Sequence, residues 1–477
     1  MWYQPVPYLT DDRYTAVPRD GLEDHVSQTT ISDASASSES GTRPVKLPPG
    51  PRWPTFVQGL AYAVSRTWTV GRVTRRHGDV ISMTLPVFGK SVVVADPQLA
   101  KQLFAANTDD VGNIQPNLSR VLGPGSVFAL DRTDHRRRRK LLTPPFHGKS
   151  IKNYERIFEE ETLREAESWP EGVAFETLEP MMRITLNAIL RAVFGADGER
   201  LDELREIIPP WVTLGSRLAV LPVPGRNLGR FSPWGRLAEY RRQYDAVIDH
   251  LVEEVKADPD FDSRDDVLAI LLRSTYEDGG AMSQRDIADE LLTLLAAGHE
   301  TTASTLAWAF ERITRHPDVL TRLESEAGTD GNEYRQATIL ETQRVRTVID
   351  FAGRHVHSPT FELGEWVIPR GYSITVAIRE LHNREQDFPG ADAFDPQRFL
   401  GDGRPPLSFL PFGGGTRRCV GAVFANVEMD VVLRTVLRHF VVHTTAAPDE
   451  KIHSRGVAYT PKAGGRVVLR RRATPLA

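Results

Sequence analysis

After a proline-rich entry to the folded part of the chain, KLPPGPRWP (46–54), come two short apolar runs, DVISMTL (79–85) and KSVVVA (90–95), with the turn residues Pro86 and Gly89 between them. Short, rich in β-branched residues and bounded by turn formers, they predict paired strands. From about residue 97 to 350 the apolar positions recur with mostly helical spacing. After 353, short strand-like pieces rich in Pro and Gly take over, apart from one helix near 421–440. The predicted fold is mainly α, with a small β region assembled from N-terminal and C-terminal strands. No internal repeat is present.

The longest helix can be delimited from its ends. Ser283 with Asp286 three residues on resembles a capping box, and Pro317 stops the far end. That predicts about 33 residues, roughly 50 Å at 1.5 Å per residue. Between Ile287 and Phe310 it is apolar nearly all round, which places it through the middle of the protein. Asp289, Glu290, His299 and Glu300 interrupt the same stretch, so it falls short of the roughly 20 apolar residues a membrane span needs.

Residues 1–42 are polar and irregular, with the low-complexity run SQTTISDASASSESG at 27–41. Too few large apolar groups are present to offset the entropy of ordering such a segment, which predicts a disordered tail ahead of one catalytic domain, residues 43–477. The remaining composition is that of an ordinary globular protein, 40% hydrophobic and 26% charged. A net charge of -4 gives no reason to invoke nucleic acid, and a single cysteine excludes an intramolecular disulfide framework. With no basic-then-apolar leader, the expectation is a cytoplasmic monomer with no transmembrane segment, contact with a membrane surface being left open.

The lone cysteine stands in PFGGGTRRCVGAVFANVEMDVVL (411–433). Gly413, Gly414 and Gly415 let the backbone approach a flat ligand, and the helix predicted from about Val420 presents free N–H groups that favour thiolate. A single cysteine is more often an inert buried residue; its setting argues otherwise here. A second constellation, AGHETT (297–302), lies inside the long helix. Gly298 costs about 1 kcal/mol relative to Ala there and wants a reason, such as a flat ligand pressed against the helix. The Thr301 hydroxyl can reach the carbonyl of Ala297, and Glu300 beside it can relay protons.

Phe412, Gly415, Arg417, Cys419 and Gly421 meet the pattern F-x-x-G-x-R-x-C-x-G in full, and the segment resembles the haem-ligand signature of the cytochrome P450 family. The resemblance spans about residues 44–472. It implies the family fold, a long central helix over a buried haem b, with Cys419 as the axial iron ligand, Phe412 near its sulfur and Arg417 on a propionate. Glu300 and Thr301 resemble the family's acid–alcohol pair for proton delivery. Glu341 and Arg344 look like its buried E-x-x-R pair, completed by Arg398 of FDPQRF (394–399). His135 and Arg139 in DHRRRRKLLTPPF, and Arg354, fall where the family keeps propionate-binding residues. His135 and Arg139 are expected to face inward and the neighbouring arginines outward. Two departures stand out: VRTVIDFAGRHVHSP replaces a usually proline-rich stretch, and histidine stands at 135 where many relatives have tryptophan.

Two decoys fail. HETTA (299–303) lacks the second histidine of a zinc-hydrolase helix, and GGGTRRCVG has Arg418 where a dinucleotide loop needs glycine. With no nucleotide fingerprint, electrons are expected from a ferredoxin or flavodoxin-type carrier, drawn to a patch of Arg136, Arg137, Arg138 and Lys140 near Arg418. The implied activity is insertion of one atom of dioxygen into a lipophilic small molecule. A peroxide-driven peroxygenase and a gas-binding haem protein are the alternatives; Glu300 and Thr301 count against both.

Overall fold

The computed structural model describes residues 43–476 other than 115, 148–149, 196–198, 222–228 and 402–404. The tail expected over 1–42 lies outside the described residues.

The two apolar runs pair as predicted. Val80–Leu85 lies antiparallel to Gly89–Val94, from Val80 opposite Val94 to Leu85 opposite Gly89. Gly89 takes a left-handed φ of 67°, which costs glycine little. Gly89–Val94 then runs parallel to Ser373–Ala377, which pairs antiparallel with Phe351–Val356, and the two-residue strand Val111–Gly112 closes the edge. One five-stranded sheet is thus assembled from both ends of the chain. A second, three-stranded sheet joins Ala174–Glu176, Arg466–Arg471 and Phe440–Val442.

The long helix is Gln284–Ile313, 30 residues, and Ser283 caps it by accepting from the Asp286 N–H at 3.1 Å. It ends earlier than Pro317 suggested, because the proline opens the next helix, Pro317–Ala327. Two apolar clusters meet on it. Ile287, Leu291, Leu292 and Leu295 pack with Ile189 and Val193, while Ala303, Leu306, Phe310 and Ile313 pack with Met181, Val432 and Val436. The helix is buried along nearly its whole course, but Ala297 is exposed and Ala296, Gly298 and Thr301 are half-buried at its middle. On a helix so enclosed, a run of accessible residues at the centre marks the wall of an internal cavity.

The Glu341–Arg344 pair lies within Glu333–Val345 and is fully buried. Two parallel contacts of 2.7 Å join the guanidinium to the carboxylate. Arg344 also donates to the carbonyls of His382, Ala391 and Ala393, while Glu341 accepts from the Asp395 N–H at 2.9 Å. Arg398 Nε lies 3.4 Å from Glu341 Oε1, so the structure brings all three residues together. The cluster fastens the chain ahead of the cysteine loop to the helix behind it.

Candidate functional site

The cysteine loop runs into the helix Ala422–His439, two residues later than expected. The Cys419 N–H donates to the Phe412 carbonyl at 3.0 Å, folding the loop back so that the thiol is held at its tip. Cys419 is solvent-accessible, yet it is set deep enough among protein atoms that burial raises its thiol pKa, against the opposing Gly421 N–H, Arg139 and Arg418. A thiol on the wall of an internal cavity is accessible and deeply set at once. The expected helix-terminus depression is therefore outweighed by burial. A coordinating metal reverses that balance, since a bound thiol is deprotonated outright.

Two of the three loop glycines also have a reason within the chain itself. A Cβ at Gly415 would sit 1.9 Å from the Phe104 carbonyl oxygen, and one at Gly414 would sit 2.4 Å from the Phe104 ring. Gly413 and Gly415 also hold φ near 65°. Gly414 and Gly415 thus admit the helix Pro97–Ala105 against the loop. At Gly298 a Cβ would meet Ile189 at an ordinary 3.5 Å, so packing within the chain does not explain that glycine.

Around the thiol the structure gathers cations. His135 is buried on Arg132–Leu142 and its Nδ1 has no hydrogen-bond partner. Burial, then the charges of Arg417 and Arg139, lower its pKa to about 3, so the ring is neutral. Burial also lowers Arg139, an effect the nearby Cys419 opposes. Arg354 is buried beside Gly414, to whose carbonyl it donates at 3.2 Å, and burial with the Arg417 charge brings it down to about 10. Arg417 donates to Asp131 Oδ1 at 2.9 Å and to the Leu130 carbonyl at 2.7 Å. Burial alone would raise Asp131; the Asn113 N–H, His357 and Arg417 hold it at about 2. Around His135, the charges of Arg139, Arg354 and Arg417 are met, among the described residues, by the carboxylate of Asp131, which pairs directly with Arg417. The excess positive charge, partly desolvated, fits a dianionic group such as the two propionates of haem.

One inward-facing arginine was not foreseen. Arg138, expected on the outer face, is buried: it bonds Glu290 Oε1 at 2.8 Å and Tyr276 Oη at 3.0 Å, pinning its helix to the long one. Burial raises Glu290 to about 8 despite this partner.

On the opposite wall Thr301 Oγ1 donates to the Ala297 carbonyl at 2.8 Å, as its spacing predicted. Glu300 is buried and engaged: Arg455 Nε approaches its Oε1 at 3.0 Å. The two walls border one apolar cluster, through Ala296 on the helix and Val420 beside the cysteine. The sequence reading missed four residues here. Asp131 was detectable as the N-cap ahead of His135, since its side chain accepts from Arg132 N–H. Arg455, His382 and the fully buried Glu428, which bonds Thr302, carry no local signal.

A family model described as Cytochrome P450 matches residues 47–466. Cytochrome P450 138 of Mycobacterium tuberculosis is 65% identical over 428 residues, 90% of this chain and 97% of its own length. Cytochrome P450 135B1 of the same organism is 37% identical over 440 residues, 90% of this chain and 93% of its own. Among solved structures, retinoic acid-bound cyanobacterial CYP120A1 shares the fold at a TM-score of 0.79 and 22% identity, over 90% of this chain and 100% of that one. The chain belongs to the cytochrome P450 family and is a haem b-binding oxidoreductase of the monooxygenase type.

Proposed function

We propose that Cys419 is the axial ligand of haem b, that His135, Arg139, Arg354 and Arg417 hold its propionates, and that Phe412 lies beside the sulfur. The observation carrying this reading is the accessible thiol beside Arg139, which shares the surroundings of His135 with Arg354, Arg417 and the carboxylate of Asp131. Haem, when bound, supplies activation of dioxygen: one atom enters the substrate and the other leaves as water, with two electrons and two protons consumed. The chain's own part is to shape the cavity and bring protons. Thr301 holds its hydroxyl at the half-exposed turn of the long helix, and Glu300 stands behind it as the acid.

The substrate class is a lipophilic small molecule, because the exposed turn of the helix borders an apolar cluster that includes Ile189, Leu294 and Leu295. Electrons come from a ferredoxin or flavodoxin-type carrier acting on a monomer in the cytoplasm, and residues 43–477 act as one catalytic domain. The reduced, carbon-monoxide-bound protein is the test. It gives the red-shifted Soret band of thiolate ligation, and Cys419→Ala abolishes that band while the fold persists. A histidine-type spectrum in folded wild type overturns the assignment.

A further inference from the structure

The helix Thr55–Val64 is mounted with its polar residue inward. Gln58 is the residue it buries, and both ends of that side chain are used. Oε1 accepts from the Thr84 N–H at 2.8 Å, and Nε2 donates to the Trp53 carbonyl at 2.8 Å. Four residues advance a helix by slightly more than one turn, so Phe56, Leu60 and Val64 lie on one face, away from Gln58. They are 75%, 63% and 79% exposed, and Trp68, on the first turn of the next helix, is 54% exposed. Isolated exposed apolar residues need no explanation, but a contiguous stripe of large ones marks a contact surface.

The charge beside the stripe indicates what it contacts. No residue from 55 to 77 is acidic. Arg66 is used internally against Asp350 at 3.0 Å. Arg72, Arg75 and Arg76 are exposed and form no ion pair among the described residues, although the charge of Arg75 is felt at Glu380. Arg72 lies over the Trp68 ring at 5.4 Å, its stem covering apolar surface and its head free. In a chain of net charge -4, this face is locally opposite in sign to the whole. A large aromatic and aliphatic face bordered by unpaired arginines suits the interfacial zone of an anionic membrane, where apolar groups enter the acyl boundary and guanidiniums meet phosphates.

We propose that the face formed by Phe56, Leu60, Val64 and Trp68, with Arg72, Arg75 and Arg76, seats this protein on an anionic lipid bilayer. Association is peripheral and reversible, and independent of the haem assignment. The experiment is co-sedimentation of the full-length holoprotein with phosphatidylcholine vesicles made with and without phosphatidylglycerol, across a salt series. Wild type binds the phosphatidylglycerol vesicles, and binding weakens as salt rises. Leu60→Glu with Val64→Glu lowers partitioning by about tenfold or more. Arg75→Gln and Arg76→Gln each lower it by about fivefold. Trp68→Phe removes a blue shift in fluorescence on vesicle addition. The altered side chains are exposed, so an unchanged melting temperature and haem spectrum certify each variant. Wild type that ignores phosphatidylglycerol, or variants that bind equally well, overturns the proposal. So does a vesicle-free dimer that Leu60→Glu dissolves, which makes a second copy the occupant.

Discussion

Arg455 Nε lies 3.0 Å from Glu300 Oε1, so a guanidinium from the C-terminal hairpin closes on a carboxylate at the middle of the long helix. The same guanidinium donates to Thr213 Oγ1 at 3.1 Å, which ties both to the helix Glu199–Ala219. Burial raises the Glu300 pKa, and Arg455, the Ser216 hydroxyl and the Arg217 charge oppose it. Removing Arg455 leaves burial less opposed, so Glu300 stays protonated to higher pH. In Arg455→Gln, the alkaline limb of product formed per electron, set by loss of the Glu300 proton, therefore moves to higher pH, and Arg455→Lys reverses part of the shift. An unmoved limb in haem-loaded variant takes Glu300 out of proton delivery.

Thr301 differs from its neighbour in being half-buried and bonded only along its own helix, to Ala297. Thr301→Ala removes that hydroxyl without stranding a charge. Haem and substrate binding persist, while product per electron falls by about tenfold or more and peroxide appears instead. Quantifying peroxide against product checks it, and unchanged coupling would exclude Thr301.

The Glu341–Arg344 pair is stabilising only while complete. Deleting one partner strands a buried charge at a cost of about 3 to 5 kcal/mol. Glu341→Ala or Arg344→Ala accordingly yields misfolded or haem-free protein, read by melting temperature and haem content. Soluble, fully loaded variants that melt like wild type contradict this.

Much of this was legible in the sequence because it is local. Ser283, the Pro86–Gly89 turn and the i, i+3 spacing of Glu341 and Arg344 are short-range features with one physical reading each. What the sequence concealed depends on contacts distant in the chain. Arg138 looks like its neighbours in a basic run until Glu290, 152 residues away, is placed beside it. Nothing local to Gly414 and Gly415 announces Phe104, which packs against both. Arg455 in HSRG gives no hint of Glu300.

His382 yields a prediction about acid stability. Its Nε2 accepts from the Leu410 N–H at 2.9 Å, so the ring proton is on Nδ1, 2.9 Å from Thr347 Oγ1. Protonation would set an N–H against the Leu410 N–H. Burial and the Arg344 charge lower its pKa to about 3 from an ordinary 6.5. The folded value lies below the unfolded one, so this contribution is complete above pH 6.5 and lost as pH falls toward 3, by about 1.4 kcal/mol per unit. His382→Gln lacks the titration. Urea unfolding at pH 7 and pH 5 therefore shows wild type losing more stability than the variant, and equal losses count against this reading.

The carrier-docking surface is narrower than the basic run suggested. Arg138 is buried, Arg137 pairs with Asp278 at 2.6 Å and Lys140 with Glu277 at 2.5 Å, so two of the expected charges are already matched. Arg136 is held by the Thr108 and Thr133 hydroxyls. Arg418 is exposed, pairs with no carboxylate among the described residues, and stands next to Cys419, where its charge is felt. A charge already paired steers an approaching anion little; a free one beside the electron's destination steers it most. Arg418→Gln is therefore expected to slow reduction by an acidic ferredoxin or flavodoxin at low salt and to flatten the salt dependence, with binding of substrate untouched. Arg137→Gln has a smaller effect, because it also frees Asp278. At 1 M salt, where the Debye length is about 3 Å, both variants converge on wild type. Stopped-flow reduction across the salt series separates the cases. Equal slowing by the two substitutions restores the broad patch, and no slowing by Arg418→Gln places docking elsewhere.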